Sequence, residues 1–320
     1  MIDTFISSSI LPKELTGHSD IVWSIDYSTF NGARYLCSGS KDSTIRVWNI
    51  DTKQQVKVFY GYSNDIYLLN GHTQGVCGIS FSSFNNGRYL CSGSYDNTIR
   101  LWDIKTFQSL NIFNGHKWAV WCVEFSSLHN NNNENKNIGI IGGNGYTICS
   151  GSWDNTIRLW DVETFKEIII FETQSSVNSI KYSPYQTNII CYGSYDTSVR
   201  LWDIRSKKEI NIFKEHTQTV NVVEYSPFVN NNTTSIINPN VICSGSSDRT
   251  IRFWDIRINK QLYLIEGDRE IYSLQFLESK HKKNSDYYII KKHFHQNQKS
   301  FTKRFKQHVF DLCAKFSKII

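Results

Sequence analysis

The sequence has no run of eighteen consecutive apolar residues, so we expect no helix that crosses a membrane. Its eight cysteines include no Cys-x-x-Cys pair, and 320 residues are too many for a small disulfide-stapled domain. The first fifteen residues carry Asp3 and no basic region ahead of an apolar core, which argues against a secretory signal. These absences predict a reduced, soluble, intracellular protein, located in the cytoplasm or the nucleus.

The composition is that of a globular protein, with 40% hydrophobic and 20% charged residues, which excludes wholesale disorder. The formal net charge is +6 and is unevenly distributed. Residues 279–320 contain eleven Lys or Arg against two Asp, a local charge of +9 that leaves −3 for residues 1–278. We therefore expect no nucleic-acid-binding face on the body of the protein.

Five segments of the chain closely resemble one another. They are YLCSGSKDSTIRVWNI (35–50), YLCSGSYDNTIRLWDI (89–104), TICSGSWDNTIRLWDV (147–162), IICYGSYDTSVRLWDI (189–204) and VICSGSSDRTIRFWDI (241–256). Their β-branched and aromatic runs predict strands, separated by a Gly-Ser-x-Asp turn. A shared apolar block precedes each segment, and a looser run follows it, so each unit predicts four short strands. Such a unit cannot bury both faces alone, and neighbouring units must stack.

These repeats resemble the WD-repeat β-propeller family over about residues 17–277. The resemblance implies an all-β propeller of four-stranded antiparallel blades, here with five complete units and an incomplete sixth. It also implies a non-catalytic scaffold or adaptor that binds proteins or peptides. We divide the chain into residues 1–16, which could supply the outer strand of the closing blade, the propeller at 17–290, and a basic, helical tail at 291–320.

Four units share a His, a Ser, an Asp and a Trp at equivalent positions. These tetrads are His18, Ser38, Asp42, Trp48; His72, Ser92, Asp96, Trp102; His116, Ser150, Asp154, Trp160; and His216, Ser244, Asp248, Trp254. An indole can donate to the serine, the serine to the imidazole, and the aspartate can orient the imidazole. An active site is needed only once, so fourfold recurrence predicts a structural role and not a catalytic triad. We expect no catalytic residue, no cofactor and no metal.

Strand geometry predicts which end of the propeller binds a partner. In an antiparallel meander, the turn between the second and third strands lies at the same end as the entry into the first strand. Tyr and Trp, which are typical of interface hot spots, are frequent at these positions. The candidate binding residues are Trp23, Lys41, Tyr95, Trp118, Trp121, Trp153, Tyr195 and Tyr272. The alternative is that these rings only pack on one another.

Two Trp-Asp-Ile-Arg segments end in Arg205 and Arg257. They resemble the paired boxes by which some WD-repeat proteins dock onto cullin-RING ubiquitin ligases. The resemblance implies an alternative function, that of a ligase substrate receptor. A lysine at the same place in the second unit, Lys105, favours a merely solvated charge.

The tail shares nothing with the repeats. As a helix it would place six apolar residues within an arc of about 80°, namely Phe301, Phe305, Val309, Leu312, Phe316 and Ile319. Three interpretations stay open. The tail could cover the exposed edge of an incomplete propeller, it could bind an anionic membrane or an acidic partner, or it could be non-repeat sequence without a role.

Overall fold

The structure, a computed structural model, describes residues 15–61, 71–126, 146–184, 186, 188–226, 240–278 and 287–292. Within these ranges the regular elements are β-strands and one short 3-10 turn, Asn85–Gly87. The predicted all-β architecture is confirmed. No described helix has the length and apolarity that a membrane span would need.

The strands form five four-stranded sheets and one two-stranded sheet. Blade 1 contains β1 (Val22–Phe30), β2 (Ala33–Ser40), β3 (Ile45–Asn49) and β4 (Gln54–Phe59). Blade 2 contains β5 (Val76–Phe81), β6 (Tyr89–Ser94), β7 (Thr98–Asp103) and β8 (Gln108–Asn114). Blade 3 contains β9 (Val120–Phe125), β10 (Thr147–Ser152), β11 (Thr156–Asp161) and β12 (Glu167–Glu172).

Blade 4 contains β13 (Val177–Tyr182), β14 (Ile189–Ser194), β15 (Val199–Asp203) and β16 (Lys208–Phe213). Blade 5 contains β17 (Val220–Tyr225), β18 (Val241–Ser246), β19 (Thr250–Asp255) and β20 (Lys260–Glu266). The sixth sheet pairs β21 (Ser273–Glu278) with β22 (Tyr287–Lys292). Five complete units are therefore confirmed, and the sixth sheet has two strands among the described residues. The second of these, β22, runs two residues past the boundary predicted at 290.

Within each complete blade the strands pair antiparallel in chain order, and we name them a, b, c and d. The turn between b and c has the same construction in each blade, as blade 2 illustrates. Asp96 Oδ1 accepts hydrogen bonds from the Thr98 backbone N–H at 3.0 Å and the Thr98 hydroxyl at 2.7 Å. Asn97 between them has φ 66°, a left-handed conformation that Asn tolerates well. The Gly-Ser-x-Asp pattern thus predicts the turn because the aspartate carboxylate accepts the hydrogen bonds that close the turn.

The core lies between the blades, where strand a of each of blades 2 to 5 packs back onto the preceding blade. In the cluster between blades 1 and 2, Ile79 and Phe81 pack with Cys37, Val47 and Phe59. A cysteine occupies the centre of strand b in every complete blade and is fully buried, as a small core residue would be; these are Cys37, Cys91, Cys149, Cys191 and Cys243.

Three sequence-based predictions fall outside the described residues. The proposed closing strand lies mostly within residues 1–14, and the Asn-rich insertions lie within 127–145 and 227–239. The predicted helical tail lies outside the described residues from residue 293 onward.

Candidate protein-binding surface

Backbone hydrogen bonds bring the b–c turns and the entries into strand a to one end of the propeller, which we call the aromatic end. The N–H of Tyr95 donates to Gly75 O at 2.9 Å, and that of Trp153 donates to Ala119 O at 3.1 Å. Lys41, Tyr195 and Ser247 make the equivalent bond in the other blades. The b–c turns and the entries into strand a therefore lie at the same end of the propeller, as the strand order predicts.

Four of the eight predicted residues form a single ring cluster across blades 1, 2 and 3. Trp121 and Trp153 stack with their centroids 4.9 Å apart and their planes 15° apart. Tyr95 lies 5.8 Å from Trp121 and 5.6 Å from Trp153, and Trp23 lies 5.9 Å from Trp121. The alternative in which the rings pack on one another thus holds for these four.

Gly75, which the sequence did not single out, makes room for Trp23. A Cβ on Gly75 would lie 2.6 Å from Trp23 Cζ3, so any larger residue would displace the indole. The other complete blades have Ile21, Ala119, Ser176 and Thr219 at this position. The sequence does contain a signal for this contact, because blade 2 has a glycine at a position where the other four complete blades have a side chain.

Three of the remaining candidates are solvent-exposed. Trp118 and Tyr195, at the entry into blade 3 and the b–c turn of blade 4, are each 65% exposed. Tyr272 is also exposed, and its hydroxyl donates to Glu270. The eighth candidate, Lys41, lies with its Nζ 3.6 Å from Asp20. The accessible aromatic surface is therefore concentrated at Trp118 and Tyr195.

The two arginines of the ligase alternative lie in turns between strands c and d, outside the aromatic end. Arg257 forms an ion pair with Asp255 of the same turn, with Nη2 and Oδ2 3.0 Å apart. Arg205 is exposed, and its backbone N–H donates to Asp203 at 2.9 Å. The N–H of Lys105 donates to Asp103 in the same way in blade 2. A docking role for the two arginines stays a prediction.

The tetrads form continuous hydrogen-bond chains. In blade 2 the Trp102 indole donates to Ser92 Oγ at 2.8 Å, Ser92 Oγ lies 2.7 Å from His72 Nε2, and His72 Nδ1 lies 2.9 Å from Asp96 Oδ2. The tetrads of blades 1, 3 and 5 make the same three contacts. Because each chain joins strands b and c to the loop before strand a, it locks three parts of a blade together.

The pKa shifts define the protonation state of these chains. Burial lowers the pKa of His72 below its ordinary value, although the hydrogen bond with Asp96 acts the other way. Burial alone would raise the pKa of Asp96, but hydrogen bonds with His72 and Thr98 outweigh it and hold that pKa well below its usual range. The other three tetrads shift in the same directions. At neutral pH the histidine is neutral and donates from Nδ1 to an ionised aspartate.

The tetrad serines are unsuited to act as nucleophiles. Ser92, Ser150 and Ser244 are fully buried, and Ser38 is nearly so. Each serine oxygen also accepts a hydrogen bond from an indole. A substrate carbonyl would need open space at that oxygen, so the geometry is that of a structural element.

Blade 4 replaces the tetrad with an arginine-centred network. Arg200 donates from Nη1 to Glu209 and from Nη2 to Asp196, each at 2.7 Å. Tyr192, which replaces the serine, donates its hydroxyl to Glu209 at 3.2 Å. The Trp202 indole N–H is buried and has no hydrogen-bond acceptor among the residues that the structure describes. The missing histidine and serine thus leave one donor unsatisfied.

Replacing Trp102 by phenylalanine is expected to lower the free energy of unfolding by about 1 kcal/mol more than Trp202→Phe does. Both indoles pack on a phenylalanine of the preceding blade, 4.5 Å from Phe59 and 4.8 Å from Phe171 between ring centroids. Only Trp102 loses a hydrogen bond, whereas Trp202→Phe removes an unsatisfied N–H. Urea unfolding of both variants measures the difference. Equal losses would mean that the indole hydrogen bond does not stabilise the blade.

A half-buried cluster of charges, which the sequence did not predict, joins blades 3, 4 and 5. Lys181 Nζ lies 3.3 Å from Glu124 Oε1 and 3.2 Å from Glu224 Oε2. Burial raises the pKa of Glu124 to about 7, and Lys181 acts in the opposite direction. Glu124 also accepts a hydrogen bond from the Tyr182 backbone N–H at 2.6 Å. These contacts fasten strand a of one blade to strand a of the next.

The described residues contain no group of three or more His, Cys, Asp or Glu side chains placed to hold a metal ion. The two carboxylates of the charge cluster, Glu124 and Glu224, face Lys181 instead. Glu124 and Glu224 therefore have an ion-pair partner of their own.

Two family models match the chain. The model described as "WD domain, G-beta repeat" matches residues 10–49, 63–103 and 107–161. The model described as "Eukaryotic translation initiation factor eIF2A" matches residues 141–257. The matched regions together reach from the first blade into the fifth and end at residue 257, so they leave out the sixth sheet and the tail.

Several curated proteins are similar to the chain. A guanine nucleotide-binding protein subunit beta from Zea mays is 30% identical over 52% of this chain and 38% of its own length. The anaphase-promoting complex subunit cdc20 of Dictyostelium discoideum is 27% identical over 76% of this chain and 42% of its own. Cell division control protein 4 of Candida albicans is 31% identical over 42% of this chain and 18% of its own. The chain thus spans less than half the length of each of these relatives.

Proposed function

The chain belongs to the WD-repeat β-propeller family, and from that premise we propose that it is a non-catalytic scaffold that binds a protein or peptide at its aromatic end. The observation that carries the proposal is the exposure of Trp118 and Tyr195 at the same end of the propeller as the packed ring cluster. Large aromatic side chains with a polar atom are the residues that most often dominate binding energy at protein interfaces. We place this activity in the cytoplasm or the nucleus.

The ring cluster supports the proposal by giving the surface a rigid base. Trp23, Tyr95, Trp121 and Trp153 fix one another across three blades. A partner that binds a rigid surface loses less free energy to ordering than one that binds mobile loops. We therefore assign the four packed rings to the support of the surface, and Trp118 and Tyr195 to direct contact.

The burial and hydrogen bonding of the tetrad serines support a non-catalytic role. Their serines are buried and already accept an indole N–H, so no described tetrad has the open serine that acyl transfer requires. The names of two similar proteins also describe components of larger assemblies, a guanine nucleotide-binding protein subunit and an anaphase-promoting complex subunit. A scaffold fits both observations.

We expect the double variant Trp118→Ala/Tyr195→Ala to lose the partners that the unaltered chain captures. The matched control is Phe165→Ala/Ile258→Ala, which removes two exposed apolar residues from turns between strands c and d. The tagged full chain and both variants would be used for affinity capture from the same lysate, with captured proteins quantified by mass spectrometry. Removing a hot-spot pair is expected to reduce capture by at least about tenfold.

Two outcomes of this capture experiment would contradict binding at the aromatic end. If the aromatic variant keeps its fold by circular dichroism and captures the same proteins in the same amounts, the aromatic end is not the binding surface. If instead the control variant loses the partners, binding takes place at the opposite end.

A further inference from the structure

Each complete blade has a β-bulge at the same place, near the start of strand a. The pairing of strand a with strand b shifts register there, so that one residue of strand a has no partner across the ladder. The bulged residues are Trp23, Cys77, Trp121, Asn178 and Asn221. A bulge turns the side chain of its extra residue out of the regular alternation of the strand. These five side chains therefore occupy equivalent positions at the aromatic end.

Asparagine stands at the bulges of blades 4 and 5, and the orientation of both carboxamides is fixed. Asn178 Nδ2 donates to Val220 O at 3.2 Å, and Asn221 Nδ2 donates to Ile271 O at 3.1 Å. Because a backbone carbonyl can only accept, these contacts identify the nitrogen, and thereby the oxygen, of each carboxamide. Both side chains are half-buried, and neither oxygen has a hydrogen-bond donor among the residues that the structure describes. Blades 4 and 5 therefore each present an unused acceptor at the aromatic end.

A carboxylate belongs to the same polar group as Asn221. Asn221 Nδ2 also donates to Ser247 Oγ at 2.9 Å, and the Ser247 hydroxyl in turn donates to Glu270 at 3.5 Å. Glu270 accepts from the Tyr272 hydroxyl as well, and it is solvent-exposed. The side of the aromatic end formed by blades 4 and 5 and residues 270–272 is therefore rich in acceptors and carries a negative charge.

The strands below this surface carry an excess of acidic groups. Asp26, Glu124, Lys181 and Glu224 each lie three residues beyond a bulged residue, about 10 Å deeper along strand a. Lys181 contacts both glutamates. Burial raises the pKa of Asp26, and the charges of Lys181 and Glu224 act on that pKa in opposite directions across the centre of the propeller. Three carboxyl groups thus surround one ammonium group, which favours a cation over an anion at the surface above.

We propose that the partner bound at the aromatic end presents an arginine side chain to the Asn178 and Asn221 carboxamides. The inference rests on the proposed function and adds the chemistry of the partner. A guanidinium has N–H donors on more than one edge, so it can bind both carboxamide oxygens and still reach Glu270. It is also attracted to aromatic rings such as Trp121, which lies on the strand next to that of Asn178. Lysine has the same charge but carries its donors on a single atom, and it binds such a site less well.

The experiment begins with panning of the full chain against random peptides displayed on phage. We expect the recovered peptides to share an arginine at one fixed position. Synthetic versions of one recovered peptide, with that arginine kept or replaced by lysine or by leucine, would be labelled and their affinities measured by fluorescence polarisation. Lysine in its place is expected to weaken binding by about tenfold, and leucine by more, because charge-assisted hydrogen bonds are lost.

The variant Asn178→Leu tests the assigned contact. It is expected to weaken binding of the arginine peptide at least about tenfold and to bind the leucine peptide as the unaltered chain does. The matched control is Asn211→Leu, because Asn211 Nδ2 also donates to a backbone carbonyl of the next blade, Ile256 O at 2.9 Å, but from the outer strand β16. This control is expected to leave both affinities unchanged.

Three outcomes would overturn the arginine contact. These are selected peptides without a shared arginine, equal affinities for the arginine and lysine peptides, or an Asn178→Leu variant that loses equal affinity for the arginine and leucine peptides. Failure of the proposed function gives a different result. Selected peptides that bind the Trp118→Ala/Tyr195→Ala variant as tightly as the unaltered chain would place binding outside the aromatic end. Peptides that need Trp118 and Tyr195 but tolerate leucine at the arginine position would overturn the arginine contact alone.

Discussion

Replacing Asp96 by alanine is expected to lower the free energy of unfolding by about 3 kcal/mol, because several buried donors would lose their acceptor together. Asp96 accepts from the His72 ring, from the backbone N–H groups of Thr73 and Thr98, and from the Thr98 hydroxyl. Burial leaves no water to replace the carboxylate at His72. Denaturant unfolding followed by tryptophan fluorescence measures the loss.

The control for this variant is Asp51→Ala. Asp51 also accepts hydrogen bonds, from the Arg34 backbone and guanidinium, but both side chains are solvent-exposed. Water replaces the lost contacts there, so no measurable destabilisation is expected. If Asp96→Ala and Asp51→Ala unfold at the same denaturant concentration, the tetrad does not stabilise blade 2.

Acidification is expected to destabilise the fold cooperatively as the pH falls below about 6.5. The four tetrad histidines, His18, His72, His116 and His216, have folded-state pKa values below the ordinary 6.5 because burial disfavours the charged ring. A depressed pKa means that the unfolded chain binds protons that the folded chain does not. The stability from these groups is therefore complete above pH 6.5 and is lost as the pH falls from there through the folded-state values.

The tetrad aspartates extend the effect to lower pH. Their folded-state pKa values also lie below the ordinary 3.8, in the case of Asp248 at about 2. The measurement is a series of urea unfolding curves between pH 8 and pH 2. The tetrad histidines contribute an uptake of at most four protons to the slope of unfolding free energy against pH. Glu124, whose raised folded-state pKa of about 7 makes it release a proton on unfolding, offsets at most one of these. A stability that is flat or rises on acidification would contradict the assigned protonation states.

The strands, the turns and the tetrads could be predicted from the sequence because the residues that form each of them lie within a single repeat. Asp96 lies two residues before Thr98 in the turn it closes, and the same spacing recurs in every unit. Internal repetition acts as an alignment of the chain with itself. Residues that recur in several repeats are expected to stabilise the blades, whereas a catalytic set would occur once. The recurring Ser-His-Asp sets could therefore be assigned a structural role.

The contacts between blades could not be predicted, because they join residues that share no local pattern. The pairing of Lys181 with Glu124 and Glu224 involves three different repeats. Similarly, nothing in one repeat indicates that Trp23 of blade 1 and Tyr95 of blade 2 pack with the Trp121 ring of blade 3. With these rings packed on one another, the most exposed aromatic residues are Trp118 and Tyr195. Within blade 4, the network around Arg200 could not be predicted either, because it depends on Glu209 of the next strand, outside the shared repeat pattern.

The measurement that tests the binding surface most directly is photo-crosslinking from a single defined position. A benzophenone amino acid in place of Tyr195, at the aromatic end, would be compared with the same residue in place of Phe165, in a turn between strands c and d. We expect a discrete partner protein to be crosslinked from position 195 and not from position 165. Crosslinking of that partner from position 165 alone, or equally from both positions, would contradict this expectation.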